Sequence, residues 1–337
     1  MNNEKLTKNE NCLSRHLHTD LADECCPENG GKTAAAQTPP FSREAGNAPG
    51  GRGFDYTEKT VSGYRIRYLN VNDDRGEAAV GKPVGSYVTA DVGKLWCASD
   101  TEINAASRCI STELRSLASR MIAGSEPGCV LVAGLGNREI TSDSIGPETV
   151  GKLTVTRHLR ESDPVLFRKT GLGEFASIAP GVLAQTGIET AELIAQAVRS
   201  ISPSLLVVID SLAARSPDRL ATTVQLCDTG IAPGSGIGNR RARIDRETMG
   251  VPVIAVGVPT VVRSDTFVID ALCRAGLEEL GEKLEGSLCA GEGLYVALKD
   301  CDAAVDALSS LLADAIERAF SPAYSYAYPY AYPYAYP

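Results

Sequence analysis

An α/β fold built on a mainly parallel sheet flanked by helices is the architecture this sequence predicts, and three observations point there. Apolar runs recur at 130–133 (VLVA), 205–209 (LLVVI) and 251–259 (VPVIAVGVP), with the length and continuity of strands buried on both faces. Segments with helical spacing of apolar residues fall between and around them, at 103–122, 189–200, 265–280 and 302–320. The first two runs each lead to an aspartate, Asp143 and Asp210. In open α/β sheets, reactive groups gather at the carboxyl ends of parallel strands, so the two carboxylates are candidates to face one cleft.

Taken in order, the chain begins with a polar arm, residues 1–24, followed at 27–53 by a Gly-, Pro- and Ala-rich stretch. Such a stretch buries too little apolar surface to offset the entropy of ordering, so a flexible linker is expected. Folded sequence is expected from Phe54. Residues 64–71 (YRIRYLNV) alternate as a half-exposed strand, and 81–92 (GKPVGSYVTADV) read as a turn and a second strand. After the first aspartate a helix is expected over 147–159, then a loop at 177–186 and a helix at 189–200 with Thr186 or Thr190 as its cap. A strand at 222–228 precedes the glycine-rich loop 233–240 (PGSGIGNR). The chain closes on a Tyr-Ala-Tyr-Pro repeat, 321–337, whose regular prolines favour an extended polyproline-like tail.

Composition narrows the function. A net charge of −9 and a pI near 5.1 argue against a dedicated nucleic-acid or membrane-surface binder. The ten cysteines show no C-x-x-C spacing, and Cys25 and Cys26 are adjacent, which suits neither a zinc site nor an ordinary disulfide framework. Residues 1–23 lack a secretory pattern and no apolar run reaches membrane-spanning length, so the cytoplasm is the expected location. Only three histidines exist: His16 and His18 in the arm, and His158, expected on the surface of a helix. Acid–base chemistry therefore falls to carboxylates. Two aspartates held close together raise the pKa of one of them, so a neutral carboxyl can donate a proton while its ionised partner activates water. On strand placement alone, each aspartate is equally readable as a helix cap or turn residue. Neither glycine loop completes a nucleotide motif: the one at Gly134 and Gly136 lacks a third glycine, and 233–240 lacks the Gly-Lys-Ser/Thr ending of a P-loop.

Five strings together resemble the germination protease family of endospore-forming bacteria: GLGNREITSDSIGP (134–147), PGVLAQTGIET (180–190), IDSLAAR (209–215), PGSGIGNRR (233–241) and GVPVIAVGVPTVV (250–262), within a resemblance spanning 64–320. The resemblance implies an endopeptidase that degrades small acid-soluble spore proteins at germination. It also implies a zymogen that sheds a propeptide by self-cleavage, a homotetramer in the forespore or spore core, and a fold shared with hydrogenase-maturing endopeptidases. It assigns the catalytic pair to the aspartates of T-x-D-x-x-G-P and D-x-L-A-A-R, here Asp143 and Asp210. Propeptide cleavage is expected between Asp20 and Leu21, within HTDLADE (18–24), where His18 replaces the more usual Arg. A similar string at 173–177 (GEFAS) lies inside the folded body and reads as coincidental.

The chain is thereby divided into a propeptide at 1–20, a flexible linker at 21–53, an α/β protease domain at 54–320 and a low-complexity tail at 321–337. Backbone N–H groups near Gly134, Gly136 and Asn137, or near Gly236 and Asn239, are candidate oxyanion donors. Arg215 is a candidate to orient a carboxylate or bind the acidic residue before the scissile bond, with a structural salt bridge as the alternative. No cofactor or metal is required, although paired carboxylates also suit a hard cation. Two other readings stand beside the protease: a hydrogenase-maturation-type endopeptidase, and a non-enzymatic spore-associated binding protein acting through its tyrosine tail.

Overall fold

In the computed structural model, residues 17–26, 53–122, 128–233, 242–275 and 293–325 are described. Their strands are β1 (Phe54–Val61), β2 (Tyr64–Val71), β3 (Gly85–Asp91), β4 (Cys129–Gly134), β5 (Glu174–Ile178), β6 (Leu205–Ala214), β7 (Thr223–Cys227), β8 (Val253–Arg263) and β9 (Tyr295–Ala297). All nine join one sheet of order β1-β2-β3-β7-β8-β6-β4-β5, with β9 on β8. The expected sheet flanked by helices is what the chain forms, as a mixed sheet in place of a mainly parallel one. Parallel pairing is confined to β5-β4-β6-β8, and the remaining pairings are antiparallel. The antiparallel side begins with a hairpin whose two-residue turn, Ser62-Gly63, has positive φ at both positions, which matches the twist of the strands it joins.

The helices are α1 (Asp74–Val80), α2 (Asp100–Met121), α3 (Ile145–Lys152), α4 (Arg157–Ser162), α5 (Pro164–Thr170), α6 (Leu183–Thr186), α7 (Thr190–Ile201), α8 (Arg246–Met249), α9 (Ser264–Arg274), α10 (Cys301–Phe320) and α11 (Pro322–Ser325). A capping box starts α2: Ser99 Oγ accepts from Glu102 N while Glu102 Oε2 accepts from Ser99 N. One face of the sheet is closed by α2, α3 and α10. There Ile110, Leu114, Leu117, Leu308, Leu312 and Ile316 pack on Val130, Val132, Leu205, Val207, Ile254 and Val256 in a single apolar core. On the other face, α7 covers Leu131, Leu206 and Val208 through Ile194 and Val198.

Several expectations are corrected. The helix expected over 147–159 breaks after Lys152, because Thr156 is taken into the sheet layer: its hydroxyl donates to Gly173 O and accepts from Phe175 N. Part of the loop expected at 177–186 is strand β5 and helix α6. The N-cap of α7 is Glu189, so neither Thr186 nor Thr190 caps it. Within the expected tail, Pro322–Ser325 is a helical turn, with Arg318 5.1 Å from the ring centre of Tyr324. Residues 21–26, expected in the flexible linker, pack on the sheet, where Leu21 and Ala22 have no exposed surface. The rest of the linker expectation, 27–52, and the repeat from 326 onward lie outside the described residues.

Candidate active site

Asp210 stands inside β6 rather than at its end. The strand continues to Ala214, whereas its neighbour β4 stops at Gly134, paired with Ile209. Beyond that level one edge of β6 is available to the loop that follows β4. Asp210 is 8% exposed, and its Oδ1 accepts from Ser211 N at 2.9 Å. Across the sheet it is in register with Gly257 of β8, and Gly257 with Gln225 of β7. The three residues thus form a row about two strand spacings, roughly 10 Å, long.

Asp143 reaches the same edge by a different route. After β4 the chain turns at Gly136 (φ +105°), then through a 3₁₀ turn at Thr141–Asp143 into α3. Asp143 Oδ2 accepts from Asn137 N at 2.8 Å, Ser142 O accepts from Thr260 Oγ1 of β8 at 2.6 Å, and Leu135 N donates to Ile209 O at 2.8 Å. The loop carrying Asp143 is therefore tied to β6 one residue before Asp210. Three glycines permit the closeness. A Cβ on Gly134 would lie 2.2 Å from Gly146 O, and one on Gly146 would lie 2.4 Å from Leu135 O and 2.7 Å from Ile209 O. A Cβ on Gly136 would lie 2.0 Å from Asp143 O.

Residues 17–26 cross the sheet face that carries Asp210. Asp20 N donates to Ala213 O and Asp20 Oδ2 accepts from Ala213 N, each at 2.8 Å. Leu21 packs with Leu212, Ala214, Leu220 and Val262, and Ala22 with Leu69, Val71, Tyr87 and Ala255. Leu212 itself leans over Gly257, where an added Cβ would meet it at 2.3 Å. Glu24 accepts from Arg215 N at 2.7 Å and Ser216 N at 3.3 Å. Asp23 is enclosed by Arg219 at 2.7 Å and Arg67 at 3.3 Å, and both arginines also hold Asp91. Burial pushes the carboxyls of Asp20 and Glu24 above their ordinary range, against the opposing pull of hydrogen bonds from Ala213 N to Asp20 and from Thr19 Oγ1 to Glu24. Burial likewise raises the Cys25 thiol.

The other expected site residues are placed as follows. Asn137 gives its N–H to Asp143, so this donor is turned to the carboxylate and not to an oxyanion. Gly134 and Gly136 serve close packing. The Arg215 side chain lies 3.7 Å from Asp270 of α9, which is the salt-bridge alternative. Gly236 and Asn239 lie outside the described residues. His158 is exposed on α4. Lys82, Gln225, Arg67 and Arg219 escaped sequence reasoning, since their only signal is contact with a segment that is distant along the chain. Among the described residues, no cluster of three or more His, Cys, Asp or Glu is arranged to hold a metal ion, and no helix is long and apolar enough to cross a membrane.

Residues 41–287 match the family model described as germination protease. A germination protease of Clostridium acetobutylicum is 40% identical over 253 residues, covering 75% of each chain. One of Clostridium perfringens is 40% identical over 251 residues, covering 74% of each. A NiFe hydrogenase maturation protease from Thermococcus kodakarensis matches as a solved structure, with a TM-score of 0.33 and 12% identity, over 60% of this chain and 98% of that one. The chain belongs to the germination protease family and is an endopeptidase.

Proposed function

We propose that Asp143 and Asp210 form the catalytic pair, and that the chain is a self-processing zymogen whose mature form cuts small acid-soluble spore proteins. One carboxylate, ionised, takes a proton from a water that attacks the scissile carbonyl; the other, neutral, protonates the departing amide nitrogen. The observation that carries this reading is the docking of 17–26. The Asp20–Leu21 bond is laid against β6 by the pairing of Asp20 with Ala213, with Leu21 in one apolar cluster with Leu212, two residues from Asp210. In this reading residues 1–20 are the propeptide, the mature chain begins at Leu21, and the enzyme works as a homotetramer in the forespore or spore core, without a cofactor.

The test combines intact mass with N-terminal sequencing, on wild type and Asp210→Asn, in the presence of a small acid-soluble spore protein. The expected result is loss of residues 1–20 and cutting of the substrate by wild type, with both absent in the variant. Cutting that survives Asp210→Asn would refute the assigned pair.

A further inference from the structure

The docked segment meets a second set of polar groups that the aspartates do not explain. The carbonyl oxygen of Asp20 accepts from Lys82 Nζ at 3.0 Å and from Gln225 Nε2 at 3.4 Å. The same Gln225 side chain accepts from Ala22 N at 2.6 Å, so one amide grips the backbone on both sides of Leu21. Gln225 is 7% exposed, and a buried amide is costly unless both its ends are bonded; here both ends bond the segment. Lys82 sits in the turn between α1 and β3, and its ammonium also reaches Thr19 O at 3.4 Å. A neutral peptide carbonyl is satisfied by one ordinary donor. A cation and a buried amide converging on one oxygen is the arrangement that stabilises a carbonyl acquiring negative charge.

We propose that Lys82 and Gln225 are the oxyanion donors for self-processing, an inference that rests on Asp20–Leu21 being the bond cut. The oxygen of water forms a bond to the Asp20 carbonyl carbon, and one proton of that water passes to an aspartate carboxylate. The π electrons of the carbonyl move onto its oxygen, facing the ammonium of Lys82 and the amide of Gln225. On collapse the C–N bond breaks and its electrons leave with the Leu21 nitrogen, which takes up a proton. The products are a carboxylate at Asp20 and an amino terminus at Leu21. The 3.4 Å contact of Gln225 is long for a hydrogen bond in the ground state and shortens as charge grows on the oxygen.

The experiment follows loss of residues 1–20 by intact mass in the full-length chain, for wild type, Lys82→Met, Lys82→Arg and Gln225→Glu. Hydrogen exchange at the N–H groups of Ala213 and Arg215, which the segment covers, reports docking separately from chemistry. Glu at position 225 still accepts from Ala22 N but sets a carboxylate against the oxyanion. The expected result is a fall in processing rate of about 10²–10³-fold in Lys82→Met and Gln225→Glu, with exchange protection retained, and a far smaller loss in Lys82→Arg. Processing of both variants at the wild-type rate overturns the proposal, as does a fall no larger than the loss of protection, which would make the two residues anchors only. Wild type cut at another bond, or left uncut while added substrate is cleaved, refutes the choice of Asp20–Leu21 and the proposal with it. That result is distinct from a cut at this bond indifferent to the variants.

Discussion

Two regions of the sheet, one under α2 and α10 and one under residues 17–26, are covered by different means. Under α2 and α10 the cover is mostly apolar, with Ile110, Leu114, Leu308 and Leu312 all fully buried. On the face that carries Asp210 it is a ten-residue segment fixed by carboxylates: Asp20 on Ala213 N, Glu24 on Arg215 N, and Asp23 between Arg67 and Arg219. Apolar contact is non-directional and tolerates small shifts. Hydrogen bonds and ion pairs carry heavy desolvation costs and contribute less net stability, but they hold only one register. The apolar cover is thus suited to staying closed, whereas the polar contacts of the segment are suited to holding it in one register.

The largest effect expected is on chemistry. Asp143→Asn and Asp210→Asn should each lower peptide cleavage by about 10²–10⁴-fold, measured with a fluorogenic peptide, while the thermal midpoint barely moves. The comparison itself is broken or upheld by one substitution made on both faces. Leu312→Ala should cost about 2–5 kcal/mol of global stability in denaturant titration, since it empties a fully buried site in the apolar core. Leu21→Ala removes as much buried surface, yet its cost is capped by the opening free energy of the segment alone. It should appear as faster exchange at the N–H groups of Ala213, Arg215 and Ser216, with the global midpoint almost unchanged. Equal global losses from the two would show that the segment is part of the core.

The next expected effect is on pH dependence. Asp20 and Glu24 have folded-state values raised above the ordinary 3.8 and 4.5, so the docked segment binds more protons than the released one over the window above those values. Docking is therefore tightest below that window and weakens as pH rises through it. Exchange protection of Ala213 N–H should fall with rising pH after correction for intrinsic exchange, whereas amides in the middle of β4 should show no such trend. The smallest effect is expected at the surface. Arg157→Ala, which removes the pair with Glu161 within α4, should cost no more than about 0.5 kcal/mol in a denaturation midpoint.

Strands β4 and β6 and the long helices were legible because their signals are local: an unbroken apolar run for β4 and β6, and apolar periodicity for α2 and α10. Asp143 and Asp210 were singled out through their motifs, and their catalytic role is the proposal made above. The segment at 17–26 was not. Its carboxylates and adjacent cysteines look solvated when read alone, and the partners that allow their burial, Arg67, Arg219, Ala213 and Gln225, are distant in the chain. Strand β5 was missed because its five residues include Gly-flanked Glu174 and Phe175 and carry only one fully buried side chain. Arg215 looked like a site residue from its motif, but the contact that occupies its side chain comes from α9, which no motif links to it.

The meeting of Gly134 with Gly146 has a consequence for how this molecule can change. A side chain crowding another side chain can be accommodated by a second substitution that makes room. Here an added methyl at either position runs into main-chain atoms, which no exchange of residues can trim. The two positions are thus closed to paired as well as single replacement. A library randomised at both together and selected for activity should return glycine at each, leaving the spacing between the Asp143 loop and the Asp210 strand outside the reach of ordinary mutational drift.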